Sequence, residues 1–116
     1  MSGQNNESNQ PASTASTFGL SNEEIDFYSK KSKQGDKDAA FKLYEYYSLV
    51  ALDPQQAQTW LAESAALGHP VAQYNLSITY LQQGRKKEAA FWAGKAASNR
   101  VALSNEELCK LVQKCK

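Results

Sequence analysis

Apolar residues in this chain recur at spacings of three and four and show no sustained two-residue alternation, which predicts helices and no sheet. The breaks between periodic stretches carry helix signals. Ser21 and Glu24 form a capping box that opens a first helix. Its acidic start (Glu23, Glu24, Asp26) and basic end (Lys30, Lys31, Lys33) suit the helix dipole, and Gly35 supplies the left-handed residue that stops it. Asp36 caps a second helix over DAAFKLYEYYSLV. Asp53-Pro54 opens a third, which runs to Leu67 and is stopped by Gly68; His69-Pro70 opens a fourth, which runs to about Gln83 and is stopped by Gly84. A fifth covers about Arg85 to Ser98, and Asn99-Arg100 interrupts. The segment LSNEE at 20–24 returns at 103–107, so Ser104 and Glu107 are expected to cap a sixth helix that runs to near the C-terminus.

The helices repeat. Ala57, Trp60 and Ala65 return as Ala89, Trp92 and Ala97, each 32 residues later. Gly35, Ala39, Leu43 and Tyr47 return as Gly68, Ala72, Leu76 and Tyr80, each 33 residues later. A period in the low thirties marks an array of helix hairpins. The fourth helix carries two apolar stripes, Ala72-Leu76-Tyr80 and Val71-Tyr74-Ile78-Leu81, so it touches neighbours on more than one side. The chain is therefore expected to be all-α, a short α/α solenoid of about six helices. It holds two full repeats, with the first and last helices closing the open ends.

These residues resemble the Sel-one-like repeat, a relative of the tetratricopeptide repeat. Trp60, Ser64, Ala65, Gly68, Ala72, Leu76 and Tyr80 follow its pattern in order; Trp92, Ala96 and Ala97 follow it again, and Phe27, Tyr28, Lys30 and Gly35 match the end of a preceding, degenerate unit. The resemblance covers about Phe27 to Ala97. There are departures: Ser77 and Tyr44 stand where the family has glycine, Arg100 replaces the closing glycine, and Gly84-Arg85-Lys86-Lys87 replaces a glycine-rich acidic loop. The resemblance implies a right-handed stack that binds proteins. Members of the family serve as scaffolds, adaptors and bacterial immunity proteins that block toxic effectors.

By analogy with tetratricopeptide-like arrays, the inner face would carry Phe41, Glu45, Ser48 and Leu49 from the second helix. From the fourth it would carry Val71, Tyr74, Ile78, Leu81 and Gln82. Tyr74 is the expected anchor, because tyrosine offers apolar area and a polar tip. The alternative is that these positions form further core beneath the terminal helix. Trp60 and Trp92 are expected to be structural. Arg85, Lys86 and Lys87 place three cations at a helix start, against its dipole, which suggests a contact for an acidic partner or, as an alternative function, for nucleic acid.

Composition narrows the classes. The net charge of +1 gives no global attraction to nucleic acid or membrane. No stretch approaches the ~20 apolar residues of a membrane span. Residues 1–17 are polar, carry a single charge at Glu7 and lack periodicity, so they are expected to be a disordered tail before one domain over 18–116. That stretch does not read as a secretory signal, and a cytoplasmic location is expected. His69 is the single histidine, expected to be structural, and there is neither a phosphate-binding glycine loop nor a nucleophile with a base at a telling spacing. The expectation is a non-enzyme without cofactor or metal, holding a peptide or an effector-like protein, with self-association left open. Cys109 and Cys115 lie six apart; on one continuous helix they would be ~9 Å apart in rise, too far for a disulfide, so two free thiols are expected.

Overall fold

A computed structural model describes residues 19–113, so the expected tail over 1–17 lies outside the described residues. Six helices follow one another: α1 (Asn22–Lys33), α2 (Lys37–Leu49), α3 (Pro54–Ala66), α4 (Pro70–Gln82), α5 (Lys86–Ser98) and α6 (Glu106–Val112), with no strand among the described residues. Each packs on the next, and α4 also touches α6. The hairpins α2/α3 and α4/α5 are the two repeats. Helix α1 covers one end of the stack, and α6 the other, so the chain is a short α/α solenoid.

Local chemistry explains why the helices start where they do. The Ser21 box is complete: Ser21 Oγ accepts from the Glu24 N–H at 3.1 Å, and Glu24 Oε1 accepts from the Ser21 N–H at 2.8 Å. Asp36 and Asp53 cap α2 and α3 through their carboxylates. Four helices also end alike. The N–H groups of Asp36, His69, Arg85 and Val101 reach back five residues to the carbonyls of Lys31, Ser64, Tyr80 and Ala96. The preceding residue in each case, Gly35, Gly68, Gly84 or Arg100, has positive φ. This is the Schellman closure, and it lets consecutive helices reverse in a few residues. Only the α2–α3 turn is built differently: its positive φ falls later, on Leu52.

The reversal stacks small residues against large ones. Leu61, Ala65, Ala72 and Leu76 form one buried cluster across α3 and α4, against which Phe41, Tyr44 and Trp92 pack. Ala89, Ala93, Leu103, Leu108 and Cys109 form a second across α5 and α6, against which Tyr74, Ile78 and Leu81 pack. Tyr80 touches both. Leu43, Leu61, Leu76 and Leu108 are fully buried, each stabilising the fold by about 1.5–3 kcal/mol. Polar ties fix the register between helices. Buried Ser64 donates to the Lys37 carbonyl at 2.8 Å, joining α3 to α2. Buried Gln73 donates to the Ala65 carbonyl at 3.2 Å and accepts from Asn99 Nδ2 at 2.8 Å, joining α4 to α3 and to the end of α5.

The last helix departs from expectation. Asn105, not Ser104, is its N-cap, and the Asn105 carboxamide oxygen accepts from the Leu108 N–H at 2.9 Å. The repeated LSNEE is thus used in two registers, because the Ser104 hydroxyl is engaged by Tyr74 at 3.1 Å. Helix α6 ends at Val112, with Gln113 left-handed at φ 56°, so no continuous helix runs to the C-terminus. The expectation of free thiols rested on that helix and does not hold. Cys109 is disulfide-bonded; the chain's other cysteine, Cys115, lies outside the described residues.

Candidate functional site

Helices α2 and α4 open successive hairpins, so positions 33 apart are equivalent. Phe41 corresponds to Tyr74, Glu45 to Ile78 and Ser48 to Leu81. Phe41 and Tyr74 each meet the segment that follows their hairpin, by different contacts. The Phe41 ring stacks on the His69 imidazole, centroids 4.2 Å apart and planes 11° apart, at the start of α4. Tyr74 meets Ser104 just before α6 begins. Phe41 and Tyr74 therefore belong to two different clusters rather than to one open inner face. Tyr74, Ile78 and Leu81 are half-buried against α5 and α6, whereas Val71 and Gln82 are exposed.

The start of α4 is held by an unusual cap. His69 Nδ1 accepts from the Ala72 N–H at 3.2 Å, and Nε2 lies 3.6 Å from Asp38 Oδ1. Nδ1 must be unprotonated to accept, so the ring is neutral with its proton on Nε2. Burial under Phe41 pushes the imidazole below its ordinary value; Asp38 opposes the shift and Lys37 adds to it. Next along α2, burial raises the Tyr44 phenol, and Asn75 of α4 opposes the shift.

From there the α2 surface opens. Glu45 and Ser48 are half-exposed and Leu49 is 57% exposed. The α2–α3 turn continues it with Val50 and Leu52, 44% and 73% exposed. Parallel α2 and α4 bring this turn and the α4–α5 turn to one edge of the stack, where Gln83 Nε2 donates to Gln58 Oε1 at 2.8 Å. A cavity of about 420 Å³ opens between them, with Ala57 and Leu61 as its apolar lining and Tyr44, Leu52, Thr79 and Gln83 around them.

The basic turn follows Gln83, which lines this cavity. Arg85 is already engaged: its Nη2 and Nε lie 2.9 and 3.3 Å from Glu88 Oε2, and its guanidinium lies 4.5 Å from the Tyr80 ring centroid. The same hydrogen bonds lower the Glu88 carboxyl from its ordinary value. Glu88 in the first turn of α5 also offsets the unfavourable dipole of a helix that begins with cations. Lys86 and Lys87 are exposed and make no ion pair among the described residues.

Of the residues singled out from sequence, the structure gathers Ser48, Leu49 and the basic turn along one edge, leaves Phe41 and Glu45 higher on α2, and turns Tyr74, Ile78 and Leu81 toward α6. Val50 and Leu52 were not singled out. Their signal was the run Leu49-Val50-Ala51-Leu52 at a hairpin turn, where polar turn-formers are usual. A second cavity, about 710 Å³, lies between α3, α4 and α5 and is walled by Trp92 and by Phe91, itself 56% exposed. Among the described residues there is no cluster of metal-ligating side chains, and no helix long and apolar enough to cross a membrane.

No model of a known protein family matches the chain, and no solved structure matches it significantly. The chain is 31% identical over 94 residues to the uncharacterized protein YibG of Escherichia coli (strain K12), across 75% of this chain. It spans 61% of that protein's length.

Proposed function

We propose that the chain is a non-enzymatic protein-binding module, a Sel-one-like repeat protein of the immunity or adaptor kind that holds or neutralises a partner such as a secreted effector. The supporting observation is the group of apolar side chains, Leu49, Val50 and Leu52, exposed together on the hairpin-turn edge. Water penalises such a group in a free chain, and contiguous exposed apolar surface is characteristic of contact sites. Likeness to an E. coli protein supports a bacterial setting. Nucleic-acid binding through the basic turn is the weaker reading: Arg85 is held by Glu88, which leaves two lysines for phosphate. The cytoplasm remains the compartment in this reading, and the disulfide at Cys109 is the observation against it, since such bonds are rare there. Alkylation of thiols in intact cells decides that point.

The test is recovery of the tagged chain from its native cell, identification of the co-purifying protein by mass, and reconstitution of the complex from the two purified chains. A stoichiometric complex that survives nuclease treatment is expected. Failure to reconstitute any protein complex, with binding to nucleic acid that weakens steeply with salt, would overturn the reading.

A further inference from the structure

The α2–α3 turn carries a leucine where the backbone does not favour one. Leu52 has φ 53°, a conformation that glycine or asparagine adopts at less cost than a bulky side chain. It is also 73% exposed, so its burial does not repay that cost in the free chain. Neither the turn nor the core accounts for it. A second molecule would: Leu52 stands at the mouth of the 420 Å³ cavity, whose lining joins it to Tyr44, Ala57 and Leu61.

Charge then selects the occupant. Gln83 and Gln58 bridge the cavity to the α4–α5 turn, after which Lys86 and Lys87 open α5, both exposed and in no ion pair among the described residues, although Lys87 acts electrostatically on Glu88. The carboxylate on the apolar turn, Asp53, caps α3 by accepting from the Gln56 N–H at 3.1 Å. An edge with an apolar mouth on one side and two exposed lysines beyond the other complements a segment of the opposite pattern. We propose that this edge docks an acidic amphipathic segment of a partner protein. One apolar side chain of the segment enters between Leu52 and Tyr44, and its carboxylates lie over Lys86 and Lys87. This rests on the protein-binding reading and specifies the chemistry of the partner. Nucleic acid would leave the apolar mouth unused.

The probe is a fluorescently labelled peptide bearing a leucine-phenylalanine pair followed by a run of glutamates, titrated with the full chain and followed by anisotropy. Binding is expected for this peptide and not for its lysine counterpart, and it should weaken with added salt. Reversing both cations, Lys86→Glu with Lys87→Glu, should weaken binding about tenfold or more. Leu52→Asn suits the left-handed turn, so it should hold or raise Tm while weakening binding about fivefold. Equal binding of both peptides, or parent-like binding by Leu52→Asn, would overturn the proposal. So would co-sedimentation with vesicles of anionic lipid in the absence of peptide binding, which would assign the edge to a membrane surface. If the peptide fails while a reconstituted protein complex persists and is unaffected by both variants, this docking mode falls and the broader reading stands.

Discussion

The Tyr74 hydroxyl lies 3.1 Å from Ser104 Oγ, and this contact ties α4 to the segment that leads into α6. The ring packs against the cluster of Ala89, Ala93, Leu103, Leu108 and Cys109. Tyr74 therefore serves the closing end of the solenoid. Tyr74→Phe should cost about 0.5–1 kcal/mol, the size of one hydrogen bond partly open to water. Tyr74→Ala should cost about 2 kcal/mol, less than a fully buried aromatic because the residue is only half-buried. Urea denaturation measures both. If Tyr74→Ala is as stable as the parent, α6 is not held in this way.

Arg100 adopts φ 70° at the turn that Gly35, Gly68 and Gly84 make elsewhere. A side chain there costs about 1 kcal/mol. Arg100→Gly should raise stability by roughly that amount, and Gly68→Ala should lower it by a similar amount. Opposite signs in the two melts are the expected outcome. A destabilised Arg100→Gly would mean that the arginine makes a contact that outweighs its backbone cost.

His69 makes stability depend on pH. In the unfolded chain the imidazole keeps its ordinary value near 6.5, and in the folded chain burial lowers it. The unfolded state then binds more protons at acid pH. The stabilisation is complete above that ordinary value and is lost as pH falls from it through the lower folded value. Protonation of Nδ1 also removes the acceptor for the Ala72 N–H. Denaturation midpoints should fall between about pH 7.5 and about pH 5.5 in the parent, and less in His69→Asn, which keeps a good N-cap without titrating there. Equal falls in both would show that another group carries the dependence.

The architecture was legible because the relevant signals are local. Asp36, Asp53 and the Ser21–Glu24 box start helices by bonding backbone within three residues, and Gly35, Gly68 and Gly84 end them for a conformational reason that needs no tertiary contact. What was not legible depends on distant partners. Ser104 and Ser21 share the same neighbours, yet Ser104 is drawn off by Tyr74, 30 residues away. Helix α6 was expected to run on because nothing in its sequence marks Gln113 as a left-handed stop. The residues of α2 and α4 were expected to share one inner face because periodicity shows which residues share a stripe. It does not show which neighbour that stripe meets. Phe41 and Tyr74 were expected on one inner face, but Phe41 stacks on His69 at the start of α4 and Tyr74 meets Ser104 before α6.

Hydrogen exchange on the chain, alone and in complex with its reconstituted partner, tests the binding edge most directly. Slowed exchange is expected at the C-terminal end of α2 and the α2–α3 turn, around Leu49 to Asp53, and at the α4–α5 turn, around Gln83 to Glu88. Slowing confined to the surface of α5 around Phe91, with the two turns exchanging as in the free chain, would contradict it.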